Sequence, residues 1–157
     1  MSVLAAIRAD ELGFPLFLHI LGAMILVGGL VTTVGFQVLA WRGRDQANMA
    51  AFDRAAFWSL LTVALPGWIV MRVGAQWIYS KEGWSGEDDP DWLGIGYTIA
   101  DIGIVVLVIS IVLAGIGVRR LRGGRASNAL GRIATPLVTL LLIAYLVAVW
   151  AMTAKPS

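Results

Sequence analysis

Four long runs of apolar residues, separated by short stretches that hold nearly all the charges, define this chain. The first is the plainest: between Glu11 and Arg42, thirty consecutive residues include no acid, lysine or arginine. Crossing about 30 Å of hydrocarbon takes about 20 apolar residues in a helix. The run therefore predicts a transmembrane helix over Phe14–Trp41, long enough to tilt or to extend past the lipid. Further spans are predicted over Ala55–Ser80, Trp92–Val118 and Ile133–Ala154. Pro66 removes an i→i−4 hydrogen bond from the second and predicts a kink near Leu61–Thr62. Pro136 is placed in the first turn of the fourth, where proline is tolerated. Short linkers make sequential helices antiparallel neighbours, so the expected architecture is all-α: a polytopic four-helix up-down bundle, one domain over residues 1–157.

Composition agrees, with 59% apolar and 14% charged residues and a mean hydropathy of +0.81. A soluble domain of this length does not look like that. The absence of cysteine excludes a disulfide framework, a thiolate nucleophile and a thiolate metal site. The isoelectric point near 9.4 reflects basic residues gathered between the spans, which is a topology signal and argues against nucleic-acid binding. Loops one (Arg42, Arg44, Arg54) and three (Arg119, Arg120, Arg122, Arg125, Arg132) hold eight of them. The other side has Arg8, Lys81, Lys155 and an acidic loop with Glu82, Glu87, Asp88, Asp89 and Asp91. The positive-inside rule then expects loops one and three in the cytoplasm of a bacterial inner membrane, in contact with anionic lipid headgroups, and both termini outside. Trp77, Tyr79, Trp84, Trp92 and Trp150 would mark the outer interface, Trp41 and Trp58 the inner. The first ten residues lack a short apolar segment with a cleavage site, so no signal peptide is expected and the first run stays as a helix.

Candidate chemistry rests on three ionisable side chains inside the spans: His19, Arg72 and Asp101. Counted from the helix ends they converge on the outer half, Arg72 and Asp101 roughly 12–15 Å below one boundary. Lone charges there cost several kcal/mol, so Arg72 and Asp101 are expected to pair. One reading makes them a packing ion pair without chemistry. Another makes Arg72 an anchor for a propionate, phosphate or carboxylate oriented by Asp101, with Trp68, Gln76, Tyr79 and Tyr97 at helical spacing around a cavity. His19 is either a packed imidazole or the axial ligand of haem b. As the only histidine it would need Met71, Met152, a second copy's His19 or nothing on the other face. Gly22, Gly28 and Gly29 would admit a flat macrocycle, and equally a neighbouring helix. No ionisable group lies in the inner half, which argues against a continuous proton path. No reaction is predicted, and association with further copies or a larger membrane complex stays open.

The segment Phe17–Gly29, F-L-H-I-L-G-A-M-I-L-V-G-G, resembles the first helix of small bacterial four-helix membrane proteins. These include the DUF2269 family and the membrane domain of copper resistance protein D, and the segment is also similar to the start of the HemJ-type haem-binding protoporphyrinogen oxidase. The resemblance is specific over about 25 residues, of which the quoted segment is the centre, and over the rest it amounts to size and span count. It implies a four-helix bundle and, for some members, haem near His19. The HemJ pattern expects a lysine on a later helix, where this chain has Asp101. The functions in view are thus haem b-dependent redox or electron transfer, a non-catalytic membrane subunit, and a small transporter. Reporter fusions at Asn48 and Ser127 are expected to report cytoplasm and a label at Ser85 the outside; the reverse pattern would invert the bundle.

Overall fold

The computed structural model describes residues 10–43, 45–83, 91–123 and 129–154. Arg8, Arg44, Trp84, Glu87, Asp88, Asp89, Arg125 and Lys155, and the side chains of Asp91, Trp92 and Arg132, lie outside that description. Among the described residues every element is helical. Helix α1 is Asp10–Arg42. Helix α2 is continuous over Gln46–Glu82, with a near limb Gln46–Ser59, a π turn Leu60–Ala64 and a far limb Leu65–Glu82. Helices α3 (Asp91–Arg122) and α4 (Ala129–Ala154) complete the four. All four are long and apolar enough to cross a membrane, as a multi-pass protein requires.

The helices outrun the predicted spans, with consequences at both ends. Arg54, assigned to a loop, lies within α2, and Arg119, Arg120 and Arg122 form the last turn of α3. After the first connection the Asp45 carboxylate caps α2 by accepting from the Ala47 N–H at 3.3 Å. Pro136 stands two turns inside α4 instead of in its first turn. The predicted kink is a π turn: the Leu65 N–H bonds back to the Leu60 carbonyl, five residues earlier. Pro66 follows directly and has no N–H to offer Thr62, so widening the helix here avoids a break.

Leu26, Leu30, Leu60, Leu107 and Val138 are fully buried and form the centre of the bundle. Met24, Val31, Ile102, Leu140 and Leu146 point outward, as lipid-facing positions must. Three buried hydroxyls find backbone acceptors: Thr33 and Ser110 donate within their own helices to Gly29 and Val106, at 2.7 and 2.8 Å, and Ser59 donates across to the Gly29 carbonyl at 3.0 Å.

The closest pairing is α1 against the far limb of α2, and glycine makes it possible. Gly22 and Gly29 on α1, and Gly67 and Gly74 on α2, are each seven residues apart and line the seam. A β-carbon on Gly67 would lie 2.6 Å from the Leu26 nitrogen, and one on Gly29 2.8 Å from the Ala64 nitrogen. Gly22 and Gly74 abut the backbones of Met71 and His19 in the same way. With no hydrophobic drive between helices in lipid, such backbone contact supplies the packing energy. Gly28, one position from the seam, faces open space. Gly22→Ala is therefore expected to cost about 1–3 kcal/mol through overpacking, whereas Gly28→Ala should be neutral or slightly stabilising; unfolding of both variants in mixed micelles measures the contrast.

Candidate functional site: a cavity at the termini end

The close α1–α2 seam sets His19 beside the α2 backbone. Its Nδ1 lies 3.0 Å from the Met71 carbonyl oxygen. A carbonyl only accepts, so Nδ1 carries the proton, and neutral His19 keeps a bare Nε2. No described group hydrogen-bonds to that second nitrogen.

Arg72, the next residue on α2, turns toward α3. Its Nη2 is 2.9 Å from Asp101 Oδ1, and its Cζ lies 4.4 Å from the centre of the Tyr97 ring. Tyr97 and Asp101 are one turn apart on α3, so the guanidinium fills the notch between a carboxylate and an aromatic face. The Tyr79 ring meets Tyr97 edge-on at 5.7 Å. Two further links cross the same gap: the Trp68 indole N–H donates to the Ala100 carbonyl at 3.1 Å, and the Tyr97 hydroxyl to Ala75 at 3.5 Å. Gln76, expected alongside them, lies on the exposed surface.

The depth of this cluster follows from helix length. A helix of 32 residues, α3, is about 48 Å long, some 18 Å more than the hydrocarbon. His19, Arg72 and Asp101 each lie nine or ten residues from a helix end at the termini side. Centring the helices in the bilayer puts all three roughly 5 Å inside the hydrocarbon boundary, shallower than the sequence suggested. That suits Asp101, whose side chain is 59% exposed while Arg72 is 25% exposed.

Behind the pair a cavity of about 50 Å³ opens between all four helices, lined by His19, Met71, Arg72, Tyr97, Tyr145 and Met152 among others. Met152, on α4, rests its methyl against Gly96. Tyr145 is 97% buried by area, being 3% exposed, and its hydroxyl makes no hydrogen bond. The Trp68 indole is near enough to influence it but gives its N–H to Ala100. Gly103 leaves the room this phenol occupies. Tyr145 escaped the sequence reading, though the one phenol of the fourth span, in the middle of an aliphatic stretch, was a usable signal. Leu26 lines the chamber, and toward the basic end the bundle continues as the fully buried Leu30, Leu60 and Leu107.

The chamber bears on haem in two ways. An imidazole anchored by Nδ1–H to a carbonyl is the usual posture of a metal ligand. The space is another matter, because a macrocycle needs a pocket of roughly 300 Å³ or more, and the cavity volume is about 50 Å³. The interior of one chain does not accommodate haem as it stands. Among the described residues no three His, Cys, Asp or Glu side chains gather as a metal site either; the thioethers of Met71 and Met152 are the additional donors.

No family model, curated protein or solved structure matches the chain.

The Arg72–Asp101 link is expected to be weaker than a fully buried pair. With Asp101 more than half exposed, a double-mutant cycle of Arg72→Leu and Asp101→Asn should give a coupling of about 1–2 kcal/mol. Additive losses would show that the two side chains do not stabilise one another.

Proposed function

We propose that the protein is a membrane-embedded metal-binding protein that holds one soft, monovalent ion, Cu(I) being the natural candidate, in the chamber beside His19. One observation carries the reading. The only imidazole of the chain is fixed through Nδ1, and its free nitrogen belongs to a residue lining the same chamber as Met71 and Met152. Thioethers with imidazole are a soft donor set that favours Cu(I) over zinc or magnesium. A chamber of about 50 Å³ has room for an ion with a water or two, since a water needs about 10–15 Å³. Arg72 does not repel a monovalent ion strongly, because Asp101 balances its charge at 2.9 Å.

This assigns different work to the two polar groups. His19 and the methionines bind, while Arg72, Asp101, Tyr97 and Trp68 hold α2 to α3. The leucine layer beneath the chamber supports storage, sensing or electron exchange over passage through the bundle. Basic residues gathered at one helix end support an orientation with that end in the cytoplasm, which puts the chamber in the outer leaflet of a bacterial cytoplasmic membrane.

Titrating the purified protein with Cu(I) against a chromogenic chelator is expected to show one equivalent bound. His19→Ala should abolish it, and Met71→Leu or Met152→Leu should weaken it at least tenfold. Gly96→Ala should weaken it too without unfolding the protein, because the added methyl displaces only the flexible end of Met152. No retained Cu(I), or a Soret band from protein expressed with added haem, would overturn the reading; loss of that band in His19→Ala would instead establish His19 as a haem ligand.

A further inference from the structure

We infer that the side of the chamber between α2 and α3 is a portal latched by the Arg72–Asp101 pair. In the near limb, helix α2 packs directly on α3; in the far limb, beyond the π turn, the two helices barely touch. The widened turn at Leu60–Ala64 and Pro66 mark where they part company. Above that point the wall of the chamber is made of side chains. Arg72 meets Asp101 at 2.9 Å, Trp68 meets the Ala100 carbonyl at 3.1 Å, and Tyr97 meets the Ala75 carbonyl at 3.5 Å. Arg72 and Tyr97 line the chamber themselves, while the Asp101 carboxylate looks outward with 59% of its side chain exposed.

A guanidinium on a flexible stem swings by rotating its own side-chain torsions, so the portal opens without moving a helix. Asp101 holds it shut with a charge-assisted hydrogen bond, and Tyr97 supports it through its ring face. On the depth argument above, the opening lies roughly 5 Å inside the hydrocarbon boundary, and the outward-facing Asp101 carboxylate, 59% exposed, links it to the polar headgroup region. The remaining sides are formed by helices in direct contact, α1 with the far limb of α2, α3 with α4, and α1 with α4. This inference holds whatever occupies the chamber.

The chain contains no cysteine, which permits a clean accessibility test. Ala148 lines the chamber from α4 and is buried, so Ala148→Cys reports on its interior. Labelling with a small, charged methanethiosulfonate reagent is expected to be slow in this background and at least tenfold faster once Asp101→Asn releases Arg72. Arg72→Gln should have the same effect, and it serves if the Asp101 variant fails to fold. Ala134→Cys, fully buried at the other end of α4, should stay unreactive throughout. An unchanged rate at Ala148→Cys in both latch variants, or equal acceleration at Ala134→Cys, would overturn the inference. The assay uses no metal, so its failure leaves the Cu(I) reading standing, and loss of Cu(I) binding leaves the latch standing.

Discussion

Backbone contact between α1 and the far limb of α2 is the constraint from which the site follows. Four glycines on a seven-residue spacing remove the side chains that would hold the helices apart. In water a seam of this kind would waste burial, but in lipid, apolar side chains gain nothing by leaving the hydrocarbon, and close van der Waals contact decides association. The same contact brings the His19 ring within reach of a main-chain carbonyl that already serves its own helix. The imidazole is thus positioned by the fold's tightest element instead of by a neighbouring side chain, and its orientation is coupled to helix packing.

A helix drawn hard against α1 cannot also follow α3 along its whole length. The π turn and Pro66 let α2 change course midway, so it packs on α3 below and leaves a gap above. Long side chains fill the gap instead of backbone. Trp68, Arg72 and Tyr97 span it, and what they do not fill is the chamber. Shallow depth makes this tolerable, because a half-exposed Asp101 close to the headgroups avoids most of the penalty it would meet at the bilayer centre.

The large features were legible in the sequence because they depend on composition along one dimension. Hydropathy located four spans, and the pairing of Arg72 with Asp101 followed from opposite charges at matching distances from a hairpin turn. The helix ends were not legible, since charged residues such as Arg54 and Arg119 continue a helix beyond the lipid as readily as they end it. Nor could the sequence say that Gly22 and Gly29 face α2 while Gly28 does not, because a helix's rotation about its axis is set by its partners. The His19 contact was hidden for a related reason: its acceptor is a backbone carbonyl, which has no residue signature. The size of the chamber, which separates an ion from a macrocycle, depends on how Tyr145, Met152 and Gly103 fill one small volume.

The central claim is that His19 is held through Nδ1 so that Nε2 is free to bind. With one histidine in the chain, nitrogen-15 labelling at histidine gives the spectrum of a single imidazole. The account predicts that the neutral imidazole carries its proton on Nδ1 and leaves Nε2 bare, with the Nε2 resonance shifting when Ag(I), a diamagnetic stand-in for Cu(I), is added. A proton on Nε2 in the metal-free protein, or two resonances that ignore the ion, would contradict it.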